Sequence, residues 1–123
     1  MNLGAFSISL SVKDIDASAQ FYATLGFQQI SGDISQKWII LKNGECVIGL
    51  FEGMFDKNML TFNPGWDLSG HNTENFDDIR ELYKKFISVG LDVSSSSDIR
   101  SSGPAYFTLT DPDGNPILFD QHR

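Results

Sequence analysis

The stretch Asp111-Pro-Asp-Gly-Asn-Pro-Ile-Leu-Phe-Asp-Gln-His-Arg123 decides the fold prediction. Its first five residues are typical of a turn, because proline presets φ and Gly114 and Asn115 tolerate positive φ. The turn follows Tyr106-Phe-Thr-Leu-Thr110 and precedes Ile117-Leu-Phe-Asp120, two runs rich in β-forming residues. The pattern therefore predicts a β-hairpin near the end of the sequence.

The composition is that of a folded, acidic protein. The 123 residues are 41% hydrophobic, with ten Phe, three Tyr and two Trp. This content can fill the core of one domain, or of two small units that share a core. The formal net charge is −7, whereas nucleic acids and anionic membranes favour a basic face. We therefore predict neither a nucleic-acid partner nor a membrane partner.

A single cysteine, Cys46, excludes a disulfide within the chain. It begins the apolar run Cys46-Val-Ile-Gly-Leu-Phe51, which predicts a buried thiol and not a reactive nucleophile. The first residues lack the basic and apolar regions of a secretory signal. No apolar run approaches the roughly 20 residues of a membrane span. These features predict a cytoplasmic protein.

The first half of the sequence predicts a strand, a helix and three further strands. Phe6 to Val12 alternates apolar residues with serines, which is typical of a half-buried strand. Asp14 or Asp16 can cap a helix, and Gly26 would end it. The apolar residues of this helix are Ala17, Phe21, Tyr22 and Leu25. The three strands are predicted at residues 27–31, 37–41 and 45–51. Lys42-Asn-Gly44 predicts a tight turn of type I′ between the last two strands.

The second half repeats this order. Met59 to Asn63 predicts a strand and Ser69 to Asn75 a polar loop. Asp77 or Asp78 then opens a helix that Gly90 ends. The apolar residues of this helix are Ile79, Leu82, Tyr83, Phe86 and Ile87. The elements predicted after the helix are a short strand at residues 91–93, a flexible serine loop at 94–97 and the closing hairpin.

This repetition predicts an α+β fold of two βαβββ modules, residues 1–55 and 56–123, in one compact domain. A single module leaves one face of its sheet uncovered by its helix. Pairing two modules would curl the sheets into a half-barrel around a central cleft.

The Asp111–Asn115 turn, the Val12-Lys-Asp14 stretch and the internal repeat resemble the vicinal oxygen chelate superfamily. That superfamily includes glyoxalases, bleomycin resistance proteins and extradiol dioxygenases. Its metal-dependent members carry ligands at recurring positions. The resemblance places a histidine ligand seven residues before the aspartate of the Val12–Asp14 stretch, where this sequence has Ser7. It places a glutamate ligand three residues after Asn115, where this sequence has Leu118.

The two remaining ligand positions fall near Gly49 and near Thr61 or Asn63. A catalytic transition metal needs about three imidazole, carboxylate or thiolate ligands. None of the residues at these positions supplies one. The resemblance therefore implies the fold of the superfamily without its usual metal site, and we predict neither a metal nor a cofactor.

A ligand-binding site is predicted in the cleft. Because the apolar face of the first strand must pack on a helix whose Phe21 and Leu25 need partners, the serine face should line the cleft. The predicted ligand-binding residues are Ser7, Ser9, Asn63, Trp66 and Leu118. For Trp66 an alternative stays open, since a large side chain in a loop can wall a pocket but can also fill the core or a dimer contact.

Three side chains are candidates for acid–base chemistry: Asp120, His122 and Glu52. Asp120 and His122 share one face if the last strand continues that far, although a penultimate residue is expected to fray or to lie on the surface. Glu52 would lie at the cleft mouth or be an ordinary exposed glutamate. The other histidine, His71, is expected to be solvated in its polar loop.

Two functions follow from the resemblance. The first is a metal-free protein of the glyoxalase/bleomycin-resistance type, which holds a small molecule in the cleft and forms a homodimer. The alternative is a glyoxalase-like, metal-dependent lyase or dioxygenase acting on a small oxygenated substrate. That alternative would need ligands drawn from Glu52, Asp120 or His122.

Overall fold

The computed structural model describes residues 1–97, 99 and 102–123. Its elements, in chain order, are β1 (Ala5–Val12), α1 (Ile15–Thr24), β2 (Gln28–Asp33), a 3₁₀ turn (Ile34–Gln36), β3 (Trp38–Asn43), β4 (Cys46–Glu52), β5 (Met59–Asn63), α2 (Ile79–Ser88), β6 (Ser95–Ser96), β7 (Ala105–Thr110) and β8 (Pro116–Gln121). The βαβββ order occurs twice, so the predicted α+β fold is confirmed.

The chain folds into two compact units. The first unit is Ser7–Met59, and the second unit combines Met1–Phe6 with Leu60–Arg123. The sequence predicts a division between residues 55 and 56, which places Met1–Phe6 in the first module. In the structure these residues belong to the second unit. None of the helices in the described parts of the chain is long and apolar enough to cross a membrane.

The sheet of the first unit has the strand order β2-β3-β4-β1. Neighbouring strands are antiparallel except β1 and β4, which run parallel with Ile8 opposite Ile48. Asp14 caps α1 by accepting a hydrogen bond from the Ala17 N–H at 3.2 Å. Gly26, at φ 98°, follows the end of the helix as predicted. The core of this unit consists of Ile15, Ile39, Leu41 and Leu50.

The predicted apolar face of α1 is wrong in part. Phe21 and Leu25 are 60% and 54% exposed. The helix instead turns Ile15, Ala19 and Tyr22 toward the core, at spacings of four and three residues. Ile15 is completely buried at the first helical position, and this residue sets the face that the rest of the helix presents inward.

The turn between β3 and β4 differs from the predicted type. Asn43 pairs with Cys46, which leaves Gly44 and Glu45 as the two turn residues. Only Gly44 has a positive φ, 59°, a pattern that fits a type II′ turn and not type I′. The prediction of a buried thiol is also wrong, since Cys46 is exposed. It stands at the turn end of β4, before the strand enters the core.

The sheet of the second unit has the strand order β5-β8-β7-β6. Asp78 caps α2 by accepting from the Arg80 N–H at 2.9 Å. The helix buries Ile79, Leu82 and Phe86 as predicted, whereas Ile87 is exposed. The core of this unit consists of Ile79, Leu82, Phe86, Ala105, Phe107, Leu109 and Phe119.

The strand predicted at residues 91–93 is wrong. Gly90 donates its N–H to the Ile87 carbonyl, and Leu91 donates to the Phe86 carbonyl at 3.0 Å. This is the Schellman pattern that closes a helix, so Leu91 serves the end of α2. The strand forms later, where Ser95 and Ser96 pair with Thr108 and Phe107 of β7; the serine loop predicted there is therefore wrong at these two positions.

The closing hairpin is confirmed. Strands β7 and β8 pair from Ala105 opposite Gln121 to Thr110 opposite Pro116. Within the turn, Oδ1 of Asp111 accepts from the N–H groups of Asp113 and Asn115. The Asn115 amide also donates to Oδ2 of Asp111 at 2.8 Å. The side-chain and backbone hydrogen bonds from Asn115 hold the pKa of Asp111 below its usual range.

Candidate functional site

A group of four predicted site residues comes together in the second unit. We call Asn63, Trp66, Asp120 and His122 the Trp–His cluster. The rings of Trp66 and His122 stack with centroids 4.4 Å apart and planes 17° apart. Nε2 of His122 lies 3.2 Å from Oδ2 of Asp120. Asn63 donates its amide N–H to the Asp120 carbonyl at 2.8 Å.

The alternation of β8 places these side chains. Leu118, Asp120 and the residue two further on, His122, point to one side, whereas Phe119 and Gln121 are buried on the other. Asn63 is the last residue of β5, the strand that runs parallel to β8. Its amide therefore reaches the backbone of β8 where that strand ends.

A short ordered loop presents Trp66. The loop closes through hydrogen bonds from Thr73 N–H to the Gly65 carbonyl at 2.8 Å and from Asp67 N–H to the His71 carbonyl at 2.9 Å. The indole Nε1–H of Trp66 donates to Oδ1 of Asn72 at 3.1 Å. The ring is thus fixed within the loop and also covered on one face by His122. The solvated position predicted for His71 agrees with its exposed side chain.

Arg123 fastens the end of the chain to the base of this loop. Its Nη1 donates to the carbonyls of Gly65 and Thr73 at 3.1 and 2.7 Å. Its guanidinium also lies 4.1 Å from the ring centre of Phe76. Gly65 has a φ of 86°, and a Cβ there would lie 2.5 Å from Cδ of Arg123. Only glycine therefore fits beneath the arginine.

The electrostatics of the cluster favour a protonated His122. The hydrogen bond from His122 to the Asp120 carboxylate raises the pKa of His122 above its ordinary 6.5, and this effect exceeds that of partial burial, which acts in the opposite direction. The side chains of His122 and Asp120 are 43% and 32% exposed, so a ligand can reach both. A half-exposed imidazole, a paired carboxylate that favours the protonated form of the ring, and an aromatic face can together bind a small polar molecule or transfer a proton.

Glu52, the third acid–base candidate, belongs to the first unit and holds a helix in place. Its Oε1 accepts from the Ile15 N–H, the first of α1, at 3.0 Å. Its Oε2 lies 3.3 Å from Nζ of Lys37. The hydrogen bonds from Ile15 and Lys37 hold the pKa of Glu52 below its usual range. Both carboxylate oxygens are engaged in the fold.

The serines of β1 also lie in the first unit. Ser7 is half-buried and Ser9 is buried. Ser11 makes its hydrogen bonds within the same unit. Its hydroxyl donates to the Phe55 carbonyl at 2.7 Å and its N–H donates to Asn58 Oδ1 at 2.9 Å. The predicted role of Ser7 and Ser9 in ligand binding stays a prediction, as does the cleft.

Residues 4–119 match the family described as the Glyoxalase/Bleomycin resistance protein/Dioxygenase superfamily. The chain belongs to this superfamily. A curated relative, a bleomycin resistance protein of Klebsiella pneumoniae, is 28% identical over 125 residues; the match covers 94% of this chain and 90% of the relative.

Solved structures agree on the superfamily fold. A member of the same superfamily from Vibrio splendidus 12B01 superposes with a TM-score of 0.64 at 17% identity, covering 94% of this chain and 97% of its own. Methylmalonyl-CoA epimerase from Mycobacterium tuberculosis gives a TM-score of 0.64 at 12% identity, covering 100% of this chain and 91% of its own. At these identities the likeness establishes the fold alone.

The metal site of the superfamily does not fit the residues present. The positions implied by the resemblance hold Ser7, Gly49 and Leu118, none of which has a side chain that coordinates a catalytic transition metal. Thr61, opposite Leu118 in the sheet, is buried. The side-chain amide of Asn63 donates to the Asp120 carbonyl in β8. Across residues 1–97, 99 and 102–123, no three His, Cys, Asp or Glu side chains are grouped closely enough to hold an ion.

Gln121 holds the start of α2 as Glu52 holds the start of α1, and the sequence alone did not predict this role for Gln121. The Gln121 amide oxygen accepts from the Ile79 N–H, the first of α2, at 2.8 Å. Gln121 is the last residue of β8, as Glu52 is the last of β4. The signal that could have found it is this matched position at the end of the fourth strand of each module.

Proposed function

We propose that this protein is a metal-free, small-molecule-binding member of the superfamily, of the bleomycin-resistance type, and that the Trp–His cluster binds the ligand. Membership of the superfamily supports a small-molecule-binding role. The proposal also includes the homodimer and the cytoplasmic location expected from the sequence.

The observation that carries the proposal is the stacked pair of Trp66 and His122. Aromatic faces beside a few placed polar groups are what small-molecule sites use to hold and orient a ligand. The pair is partly open to solvent; Asn72 accepts from the indole, Asp120 pairs with the imidazole, and Asn63 bonds the backbone of Asp120. The residues at the metal positions, in contrast, offer no coordinating side chains.

Ligand screening by thermal unfolding tests the proposal. The protein is treated with EDTA and then heated with a panel of small aromatic metabolites and bleomycin. A ligand at about 100 times its Kd should stabilise the fold by about 2.7 kcal/mol. We expect Trp66→Leu to abolish the shift, while Trp38→Phe, a change in the other unit, keeps it.

Elemental analysis separates this proposal from the metal-dependent alternative. Protein purified without chelators should carry no stoichiometric Zn, Ni, Fe or Mn. A stoichiometric metal lost on substitution of Asp120, His122 or Glu52 would favour the lyase or dioxygenase and contradict the proposal. Analytical ultracentrifugation measures the expected dimer independently.

A further inference from the structure

We propose that the Nδ1–H of the His122 imidazolium binds an oxyanion of the ligand, a carboxylate or a phosphate, and does so only while the ring is protonated. The inference rests on the proposed function and specifies the chemical class that the Trp–His cluster recognises.

The hydrogen bonding of His122 leaves one ring nitrogen for a ligand. Nε2 is directed to Asp120 at 3.2 Å, and none of the hydrogen bonds in the described part of the chain uses Nδ1. A protonated imidazole carries a donor on each nitrogen. One N–H therefore faces Asp120 and the second is left to donate to a group from outside.

The orientation of this donor is fixed before a ligand arrives. The His122 ring lies on the Trp66 indole. The indole Nε1–H donates to Asn72, and the backbone carbonyl of Trp66 accepts from the Ala5 N–H at 3.1 Å. Arg123, the residue after His122, is hydrogen-bonded to the loop. A donor that is already ordered loses little entropy on binding, so one hydrogen bond can contribute more of its strength.

The chain is acidic as a whole, with a net charge of −7, so an anion needs a local cation. The titratable and charged groups near His122 come from β8, the facing position of β7, the chain end and the Trp66 loop: Asp120, Tyr106, Arg123, Asp67 and His71. Nη1 of Arg123 donates to two backbone carbonyls, and the guanidinium lies against the Phe76 ring. Within the Trp–His cluster itself, His122 is the group that can carry a positive charge, and its hydrogen bond to Asp120 favours the charged form.

A pair of matched probes tests the inference. Benzoate and benzamide have nearly the same shape and differ in charge, and phenyl phosphate supplies the second oxyanion. NMR titrations follow the side-chain signals of His122 and the indole N–H of Trp66, with the indole of Trp38 in the other unit as an internal control. We expect the two anions to shift the cluster signals and benzamide to bind at least about tenfold more weakly.

The pH dependence is the decisive result. Because only the protonated ring binds, the apparent Kd for benzoate should rise about tenfold for each pH unit above the pKa of His122. Saturating benzoate should in return raise that pKa, since linkage is reciprocal. A ring that serves only to pack on Trp66 would show neither effect.

Two histidine variants identify the residue responsible. His122→Gln should abolish the pH dependence and weaken benzoate binding by about tenfold or more, whereas His71→Gln, a change at the exposed histidine of the same loop, should alter neither. Asp120→Asn should move the pH at which binding is lost to a lower value, because the ring loses its partner.

Each contrary result overturns the inference. It fails if benzoate and benzamide bind equally, if the pH dependence survives in His122→Gln, or if neither anion binds. If neutral molecules from the thermal screen bind at Trp66 while the anions do not, the inference falls and the proposed function stands. If the cluster binds nothing from either set, both fall.

Discussion

The two units begin their helices with the same hydrogen bond but make it with different side chains. In the first unit the Glu52 carboxylate accepts from Ile15 N–H, and in the second the Gln121 amide accepts from Ile79 N–H. Each acceptor ends the fourth strand of its module. The bond joins residues 37 apart in one unit and 42 apart in the other, so it fixes the start of each helix to the end of the last strand of its own module.

The choice of a carboxylate in one unit and an amide in the other matches how deeply each side chain is buried. The Glu52 side chain is 26% exposed and pairs with Lys37, so its charge is solvated and neutralised. Gln121 is only 1% exposed, and its amide also donates to Oδ2 of Asp78 at 3.3 Å and to the Arg123 carbonyl at 3.0 Å. A carboxylate there would have no donor to offer Asp78. An amide can both accept from Ile79 and donate to Asp78. A carboxylate buried at this position would in addition cost several kcal/mol.

The largest effect is expected from Gln121→Glu. The change keeps an acceptor for Ile79 but removes two buried hydrogen-bond donations and places a second carboxylate beside Asp78. We expect a loss of about 3 kcal/mol in the free energy of unfolding at neutral pH. The loss should shrink as the pH falls, because burial raises the pKa of the new carboxyl and its neutral form is tolerated. Urea denaturation across pH measures both effects, and a loss independent of pH would contradict the argument.

A smaller difference is expected between the two helix-capping aspartates. Asp78→Ala removes the cap of α2, the ion pair with Arg80 and the contact with Gln121, and should cost about 2 kcal/mol. Asp14→Ala removes a cap alone and should cost about 1 kcal/mol. Thermal and urea unfolding of the paired variants test the ranking. Equal losses would show that the Asp78 network adds nothing to its cap.

The smallest effect is expected from Glu52→Gln, the reciprocal of the first change. The amide still caps Ile15 and loses only the pairing with Lys37. Because the folded pKa of Glu52 lies below its ordinary 4.5, the charged group stabilises the fold above that pH, and this contribution is lost as the pH falls through the folded pKa. The gap between wild type and variant should therefore close in acid. Denaturation midpoints at neutral and strongly acidic pH measure it, and a constant gap would exclude a role for the charge.

Local patterns predicted those elements whose chemistry is local. The turn at Asp111–Asn115 is bonded within itself, and the cap at Asp14 lies one turn from its partner. Both were therefore predictable from spacing alone. The strand at Ser95–Ser96 was not, because it forms through backbone pairing with β7 and its serines carry no alternating pattern.

The inward face of α1 and the hydrogen-bond acceptors for the Ile15 and Ile79 N–H groups depend on residues that are distant in the sequence. Helical spacing in α1 allows Phe21 and Leu25 as one face or Ile15, Ala19 and Tyr22 as another, and only the contact of Ile15 with the core decides. In the candidate site, the alternation of β8 predicted that Asp120 and His122 share a side. The stacking of His122 on Trp66 was not predictable, because it depends on how the Trp66 loop closes.

The Trp66 loop is contacted by both ends of the chain. Ala5 donates to the carbonyl of Trp66, and Arg123 donates to the carbonyl of its neighbour Gly65. Two residues far apart in the sequence therefore hold the same loop, so a label or tag attached at either of them would disturb Trp66. The Asp111–Asn115 turn offers an alternative attachment point, because a side chain added at Gly114 would meet open space and the turn is remote in sequence from the loop.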